Sequence, residues 1–114
     1  MLPGLYDFEV YQGASWSLEV TYRDAGGKVA DFTGWAAQMQ VRNALDGTLF
    51  HELSTDNGGI VLAATEPNIR LRMPGGATAA IVNRARYDLF VEDGVNRLPV
   101  MAGRITSSEA ATHD

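Results

Sequence analysis

Residues 16–22, Trp-Ser-Leu-Glu-Val-Thr-Tyr, carry the clearest structural signal in the chain, because large apolar side chains alternate with polar ones without a break. Successive side chains of an extended strand point to opposite faces, so this alternation places all four apolar side chains on one face of a sheet. An amphipathic helix would instead repeat its apolar residues every three or four positions. The stretch therefore predicts a β-strand with one buried face.

The same alternation recurs on both sides of this stretch, in segments separated by turn residues. It is seen at residues 6–10, 35–42, 69–73 and 87–92. A weaker strand is predicted at 48–53, a short one at 60–62 and the last one at 95–105. Asp24-Ala25-Gly26-Gly27, Asp46-Gly47 and Asp93-Gly94 predict tight turns, because glycine adopts the positive φ that short hairpins require. Residues 35–45 also contain alanine and glutamine, which favour a helix, but the alternation and the flanking glycines favour a strand.

About eight short strands, with a turn roughly every ten residues, predict an all-β domain that is either a sandwich or a small barrel. We expect one domain over residues 1–114, with flexible ends at 1–5 and 107–114. Residues 77–82 are the only helix-like stretch and predict a short crossover between two sheets. The predicted core is made of the inward rows of three strands: Trp16, Leu18, Val20, Tyr22, Met39, Val41, Tyr87, Leu89 and Val91.

Composition narrows the class of protein. Apolar residues make up 46% of the chain and charged residues 20%, which is ordinary for a globular domain and argues against disorder. The absence of cysteine excludes a disulfide scaffold, a thiolate metal site and a cysteine nucleophile. The net charge of −5, with arginines scattered along the sequence, argues against nucleic-acid binding. No leader peptide and no membrane-spanning segment are expected, because no apolar run approaches the necessary length.

The residue types that carry reactive chemistry do not form a recognisable pattern. His51 and His113 are the only histidines and lack a metal-binding spacing. Ser15, Ser17 or Ser54 could combine with His51 in a triad, but no Gly-x-Ser-x-Gly elbow supports one. The carboxylates that could form a glycosidase pair fall on outer strand faces and in turns: Asp7, Glu9, Glu19, Asp88, Glu92 and Asp93. We therefore predict no catalytic, cofactor-binding or metal-binding residues, and no enzyme activity.

Two tryptophans leave a choice between core and ligand contact. Trp16 and Trp35 could stack on a sugar, because both have large aromatic faces. Each also begins a row of alternating apolar residues, which favours a place in the core.

The order of features along the chain resembles small tail and baseplate structural proteins of tailed bacteriophages. It is also similar to the N-terminal immunoglobulin-like (Ig-like) domain of phage baseplate upper proteins. The likeness extends over about residues 6–106 and rests on these motifs: Gln12-Gly13-Ala14-Ser15-Trp16, Asp24-Ala25-Gly26-Gly27-Lys28, Val29-Ala30-Asp31-Phe32-Thr33-Gly34-Trp35, Tyr87-Asp88-Leu89, Asp93-Gly94-Val95-Asn96-Arg97-Leu98 and Gly103-Arg104-Ile105-Thr106. Phe32 departs from the leucine usual in the family.

The resemblance implies an antiparallel Ig-like β-sandwich that is assembled in the host cytoplasm and resides in the tail of a virion. There it would act as an adaptor between the tail tube or hub and a fibre or receptor-binding protein. Its partners would be these virion proteins and copies of itself, with no cofactor, nucleic acid or membrane. Because the family continues into a fibre that this sequence lacks, we expect any fibre to be a separate chain. A capsid decoration protein and a carbohydrate-binding module remain as alternatives.

The Ig-like topology also predicts one particular side-chain pair. The strands holding residues 35–42 and 87–92 would be the third and sixth, which lie side by side and antiparallel in one sheet. Arg42 and Asp88 both face away from the core on these strands, so we expect them to form a structural ion pair that helps to fix the register.

Overall fold

The computed structural model of the chain describes residues 4–82 and 84–109. Within these residues the elements follow one another in this order: β1 (Gly4–Leu5), β2 (Phe8–Gln12), β3 (Trp16–Val20), β4 (Ala36–Asn43), β5 (Leu49–Ser54), β6 (Ile60–Leu62), β7 (Ile69–Met73), α1 (Gly75–Ala79), β8 (Ala85–Glu92) and β9 (Arg97–Glu109). The all-β class is thus confirmed, and residues 36–43 form a strand rather than a helix.

The strands form two sheets that pack as a sandwich. The large sheet has the order β1-β9-β8-β4-β5, with β2 also paired to β9, and the small sheet has the order β3-β7-β6. The two strands at the chain start run parallel to β9, whereas the other pairs are antiparallel. β3 and β7 thus lie in one sheet and β4, β8 and β9 in the other. In an Ig domain the second and fifth strands face the third, sixth and last in the same way. The predicted Ig-like β-sandwich is therefore present.

The core lies between the sheets and is supplied by the alternating inward positions of the central strands. In β7 and β8 every second residue is buried, as the period of two requires. Five of the nine predicted core residues are buried: Met39, Val41, Tyr87, Leu89 and Val91. The other four, Trp16, Leu18, Val20 and Tyr22, are half-buried and pack against the core. Three of them lie on β3, an edge strand that has a neighbour on one side only.

Parts of both ends that were predicted to be flexible lie in strands of the large sheet. Residues 4–5 form β1, and residues 107–109 belong to β9, where Val10 pairs with Ser107. The two ends of the chain therefore hold each other in the large sheet, a long-range contact that local composition does not reveal. Residues 1–3 and 110–114 of the prediction lie outside the described residues. The helix is also displaced, from 77–82 to Gly75–Ala79.

A buried asparagine fixes one corner of the sandwich. Asn68 is 0% exposed, and its side chain makes three hydrogen bonds. Its Oδ1 accepts from the backbone N–H of Tyr22 at 2.8 Å, and its Nδ2 donates to the backbone oxygens of Tyr22 and Ala30, both at 2.9 Å. Asn68 thus links the chain before β7 to the segment that follows β3.

The junction between β1 and β2 is held against β8 and β9 by a tyrosine. The hydroxyl of the buried Tyr87 donates a hydrogen bond to the backbone oxygen of Tyr6. Burial, reinforced by the charge of Asp7, raises the pKa of this hydroxyl and so keeps it protonated as a donor. The same Tyr6 oxygen lies against Gly103 and fills the space that a Cβ at position 103 would need.

Candidate interaction surfaces

The histidine and serines considered for catalysis come together without forming a reactive arrangement. Ser15, Ser17 and His51 line one groove of about 680 Å³. Burial lowers the pKa of His51, with the charge of Glu52 opposing it, which favours a neutral imidazole. In the described part of the chain, no hydrogen bond joins His51 to either serine. Ser54 instead caps a turn, where its hydroxyl oxygen accepts a hydrogen bond from the backbone N–H of Asn57 at 3.1 Å. His113 lies outside the described residues.

The described residues also bear on metal binding and on membrane-spanning segments. Among residues 4–82 and 84–109, no group of three or more histidine, aspartate or glutamate side chains is placed to hold a metal ion. No helix within this range has the length and apolar character needed to span a bilayer.

Both tryptophans pack against the core while remaining half-buried. The ring of Trp16 stacks on that of Phe8, with centroids 4.5 Å apart and planes 17° from parallel, so one face of the indole is covered. Its remaining surface lines the 680 Å³ groove. The ring of Trp35 meets Phe32 edge to face at 5.3 Å. Trp16 is therefore the tryptophan that a ligand in the groove could contact.

The predicted Arg42–Asp88 ion pair is wrong, although the strand order behind it is correct. β4 and β8 are adjacent and antiparallel, but the register places Gln40 opposite Asp88 and Arg86 opposite Arg42. The two charged residues are therefore diagonal neighbours rather than direct ones. The guanidinium of Arg42 instead donates to Gln40 Oε1 at 2.9 and 3.2 Å and to the backbone oxygen of Gly47 at 2.9 Å.

The same register creates a row of three arginines across the outer face of the large sheet. Arg42 on β4 lies opposite Arg86 on β8, and Arg86 lies opposite Arg104 on β9. Directly opposed residues have Cβ atoms about 5 Å apart, and like charges in such positions repel. In the described range no carboxylate forms an ion pair with any of these three, whereas Arg23 pairs with Glu66 and Arg70 with Glu19.

A shallow trough runs along the strands from this arginine row. Its first part, about 460 Å³, is lined by residues that include Arg42, Arg86, Asp88 and Gln40 and the small residues Ala102 and Gly103. Its second part, about 270 Å³, shares Gln40 and Asp88 and ends at Phe90 and Arg97. The Arg97 guanidinium sits 4.3 Å from the centre of the Phe90 ring, which fixes its position.

A second surface is the free edge of the small sheet. β3 pairs with β7 on one side only, over five consecutive residues with no shift in register. Beside it lies a groove of about 380 Å³ whose lining is mainly apolar and includes Leu5, Leu18, Val20 and Val100. Leu5 is 86% exposed there. The groove lies between β3 of the small sheet and β1 and β9 of the large sheet.

Comparison with models of known protein families finds none that matches the chain, and comparison with curated proteins finds no matching sequence. The two surfaces just described are therefore defined by geometry alone. The arginine row could not be predicted from the sequence, because residues 42, 86 and 104 are far apart along the chain. The outward position of each could be read from the alternation, but their alignment depends on three strands pairing in one register.

Proposed function

We propose that the chain is a structural component of a bacteriophage virion, an adaptor in the tail or baseplate that links the tail to a fibre or receptor-binding protein. The proposal combines the resemblance to phage tail and baseplate proteins with an Ig-like sandwich whose surfaces favour docking. It gives the chain no enzymatic role, because Ser15, Ser17 and His51 share a groove without hydrogen bonds that would activate a nucleophile.

The open edge of β3 is the observation that carries this proposal. Edge strands expose backbone donors and acceptors that another chain can complete, and proteins usually blunt them with short length, bulges, proline or lysine. β6 has only three residues, and the pairing of β5 shifts in register next to Arg42. β3 has neither protection, and it borders an apolar groove. An extended segment of a partner could add to β3 and bury Leu5 and Leu18.

Two other functions predict different observations. A capsid decoration protein would also use docking edges, but it would be present in hundreds of copies per particle rather than in a ring. A carbohydrate-binding module is favoured by the groove containing Trp16, Ser15 and Ser17. However, Phe8 covers one face of Trp16 and leaves limited aromatic surface for a sugar ring.

The test is to measure copy number and position in purified phage particles, by quantitative mass spectrometry and electron microscopy of labelled protein. A ring-like number at the tail is expected, and absence from particles would overturn the proposal. Leu5→Asp should lower incorporation, because it places a charge in the β3 groove. Leu45→Asp is the matched control, since Leu45 is 91% exposed and does not line that groove. Equal incorporation of both variants would refute the role of the β3 edge.

A further inference from the structure

The arginine row is balanced only in part by acidic neighbours. The charge of Arg42 helps to lower the pKa of Glu52, and the Asp7 carboxylate accepts a hydrogen bond from the backbone N–H of Arg104 at 2.8 Å. Arg86 and Arg104 are exposed, and neither guanidinium has a hydrogen-bond or ion-pair partner within the described residues. The guanidinium of Arg42 donates to the neutral acceptors Gln40 and Gly47, and it forms no direct ion pair within the described residues. Three cations therefore stand side by side on one face of a chain whose net charge is −5.

Arg42 is also held in place in advance of any ligand. Glu52 Oε2 accepts from the side-chain amides of Gln38 at 2.9 Å and Gln40 at 3.1 Å. Gln40 in turn accepts from Arg42 through its Oε1, so a chain of hydrogen bonds runs from Glu52 to Arg42. These bonds restrict the Arg42 side chain, and a group already restricted loses less conformational entropy when it binds.

The charges along the trough indicate what would fit it. Arginines lie at both ends, in the row at Arg42 and Arg86 and again at Arg97, whereas Asp88 lies between them. Because Glu92 lies directly opposite Arg97, the excess of positive charge is at the arginine row. From Arg86 to Phe90 a strand advances by about 14 Å, the length of four extended residues. A flexible peptide with acidic side chains can match this pattern, because the carboxylates near Asp88 can turn away from it.

We propose that this face binds an acidic, extended segment of a partner protein, with carboxylates paired to the arginine row. Guanidinium groups bind carboxylates through paired, charge-assisted hydrogen bonds. A nucleic acid fits less well, because its continuous phosphates would also meet Asp88 and Glu52 on the same face and the overall negative charge of the chain. The site is separate from the β3 edge and does not depend on the virion assignment.

The binding experiment uses fluorescein-labelled octaglutamate as the probe and measures its anisotropy at an ionic strength of about 0.15 M. Octaglutamine serves as the uncharged peptide. The double variant Arg86→Gln/Arg104→Gln should weaken octaglutamate binding about tenfold. Its matched control, Arg70→Gln/Arg72→Gln, removes the same charge from the small sheet and should change binding less than about twofold. Asp88→Asn should strengthen binding, an effect that a purely structural role would not produce.

Several outcomes would overturn the proposal. These are equal losses in the two double variants, no binding to the unmodified protein, or equal binding of octaglutamine. Tighter binding of a short DNA duplex than of the peptide would assign the face to nucleic acid instead. Sedimentation showing a dimer that the Arg86/Arg104 variant alone abolishes would assign it to a second copy of the chain. Thermal unfolding of each variant confirms that the compared proteins are folded.

Discussion

Replacing Asn68 with alanine should lower the free energy of unfolding by about 2–4 kcal/mol. The side chain is fully buried and makes three hydrogen bonds, to the N–H and oxygen of Tyr22 and to the oxygen of Ala30. Alanine removes all three and leaves a small cavity. Because a domain of this size is stable by only about 5–15 kcal/mol, this would be a large fraction of its stability.

The size of the expected stability loss depends on which backbone groups lose a hydrogen bond to Asn68. The oxygen of Tyr22 also accepts from the N–H of Ala30 at 3.1 Å, so it keeps one hydrogen bond in the variant. The Tyr22 N–H and the Ala30 oxygen lose the bonds that Asn68 makes to them. Each of these two lost hydrogen bonds costs about 1–3 kcal/mol, and partial access of water to these half-buried positions lowers the total.

Urea unfolding followed by tryptophan fluorescence measures the loss, and Asn57→Ala is the matched control. Asn57 also makes three hydrogen bonds to the backbone, with Ser54, Gly59 and Glu52, at 2.8–3.0 Å. It is exposed, however, so water can replace these bonds and its loss should be below about 1.5 kcal/mol. Equal losses at the two sites, or a loss below about 1 kcal/mol at Asn68, would refute the argument from burial.

Asn68→Asp tests the direction of the hydrogen bonds. A carboxylate can still accept from the Tyr22 N–H but faces two backbone oxygens where the amide donated. Burial and these oxygens raise the pKa of the introduced carboxyl in the folded state. The folded state then binds its proton more tightly than the unfolded state, so the loss of stability relative to the unmodified protein should be smallest in acid and should grow as pH rises towards neutrality. A stability deficit that does not depend on pH would contradict this assignment.

Three further predictions concern the large sheet. Gly103→Ala should lower the free energy of unfolding, measured in urea, by about 1–3 kcal/mol, because the added Cβ would collide with the Tyr6 oxygen. An unchanged free energy would show that the segment at Tyr6 can shift to make room. Tyr87→Phe should cost about 1–2 kcal/mol by removing the hydroxyl that donates to the same oxygen, and an unchanged unfolding midpoint would contradict it. Arg86→Gln should raise stability by up to about 1 kcal/mol, because it relieves repulsion from Arg42 and Arg104; thermal unfolding showing a lower midpoint would refute that repulsion.

The strands with an unbroken alternation could be predicted from the sequence because the pattern is local. Residues 69–73 and 87–92 carry their buried faces in their own side chains, and the structure places β7 and β8 there. The half-buried state of Trp16 and Leu18 could not be read in this way. Alternation shows which face is turned inward, whereas the extent of burial depends on whether a neighbouring strand covers that face.

The chain ends and the charged pair show where local reasoning fails. Residues 107–109 look like a polar tail, but they extend β9 because the start of the chain pairs with them. The sequence indicated that Arg42 and Asp88 face outward on neighbouring strands. A two-residue difference in register then placed Arg86 opposite Arg42, because hairpin and crossover geometry determine which residues meet.

The sequence by itself determined the all-β class, the turns and the inward rows, because side-chain alternation and glycine conformation act over a few residues. Only the tertiary structure decided the open edge of β3, the burial of Asn68 and the alignment of Arg42, Arg86 and Arg104. Each of these depends on contacts between segments that are distant along the chain. The surfaces on which the functional proposals rest are therefore products of strand pairing rather than of any continuous motif.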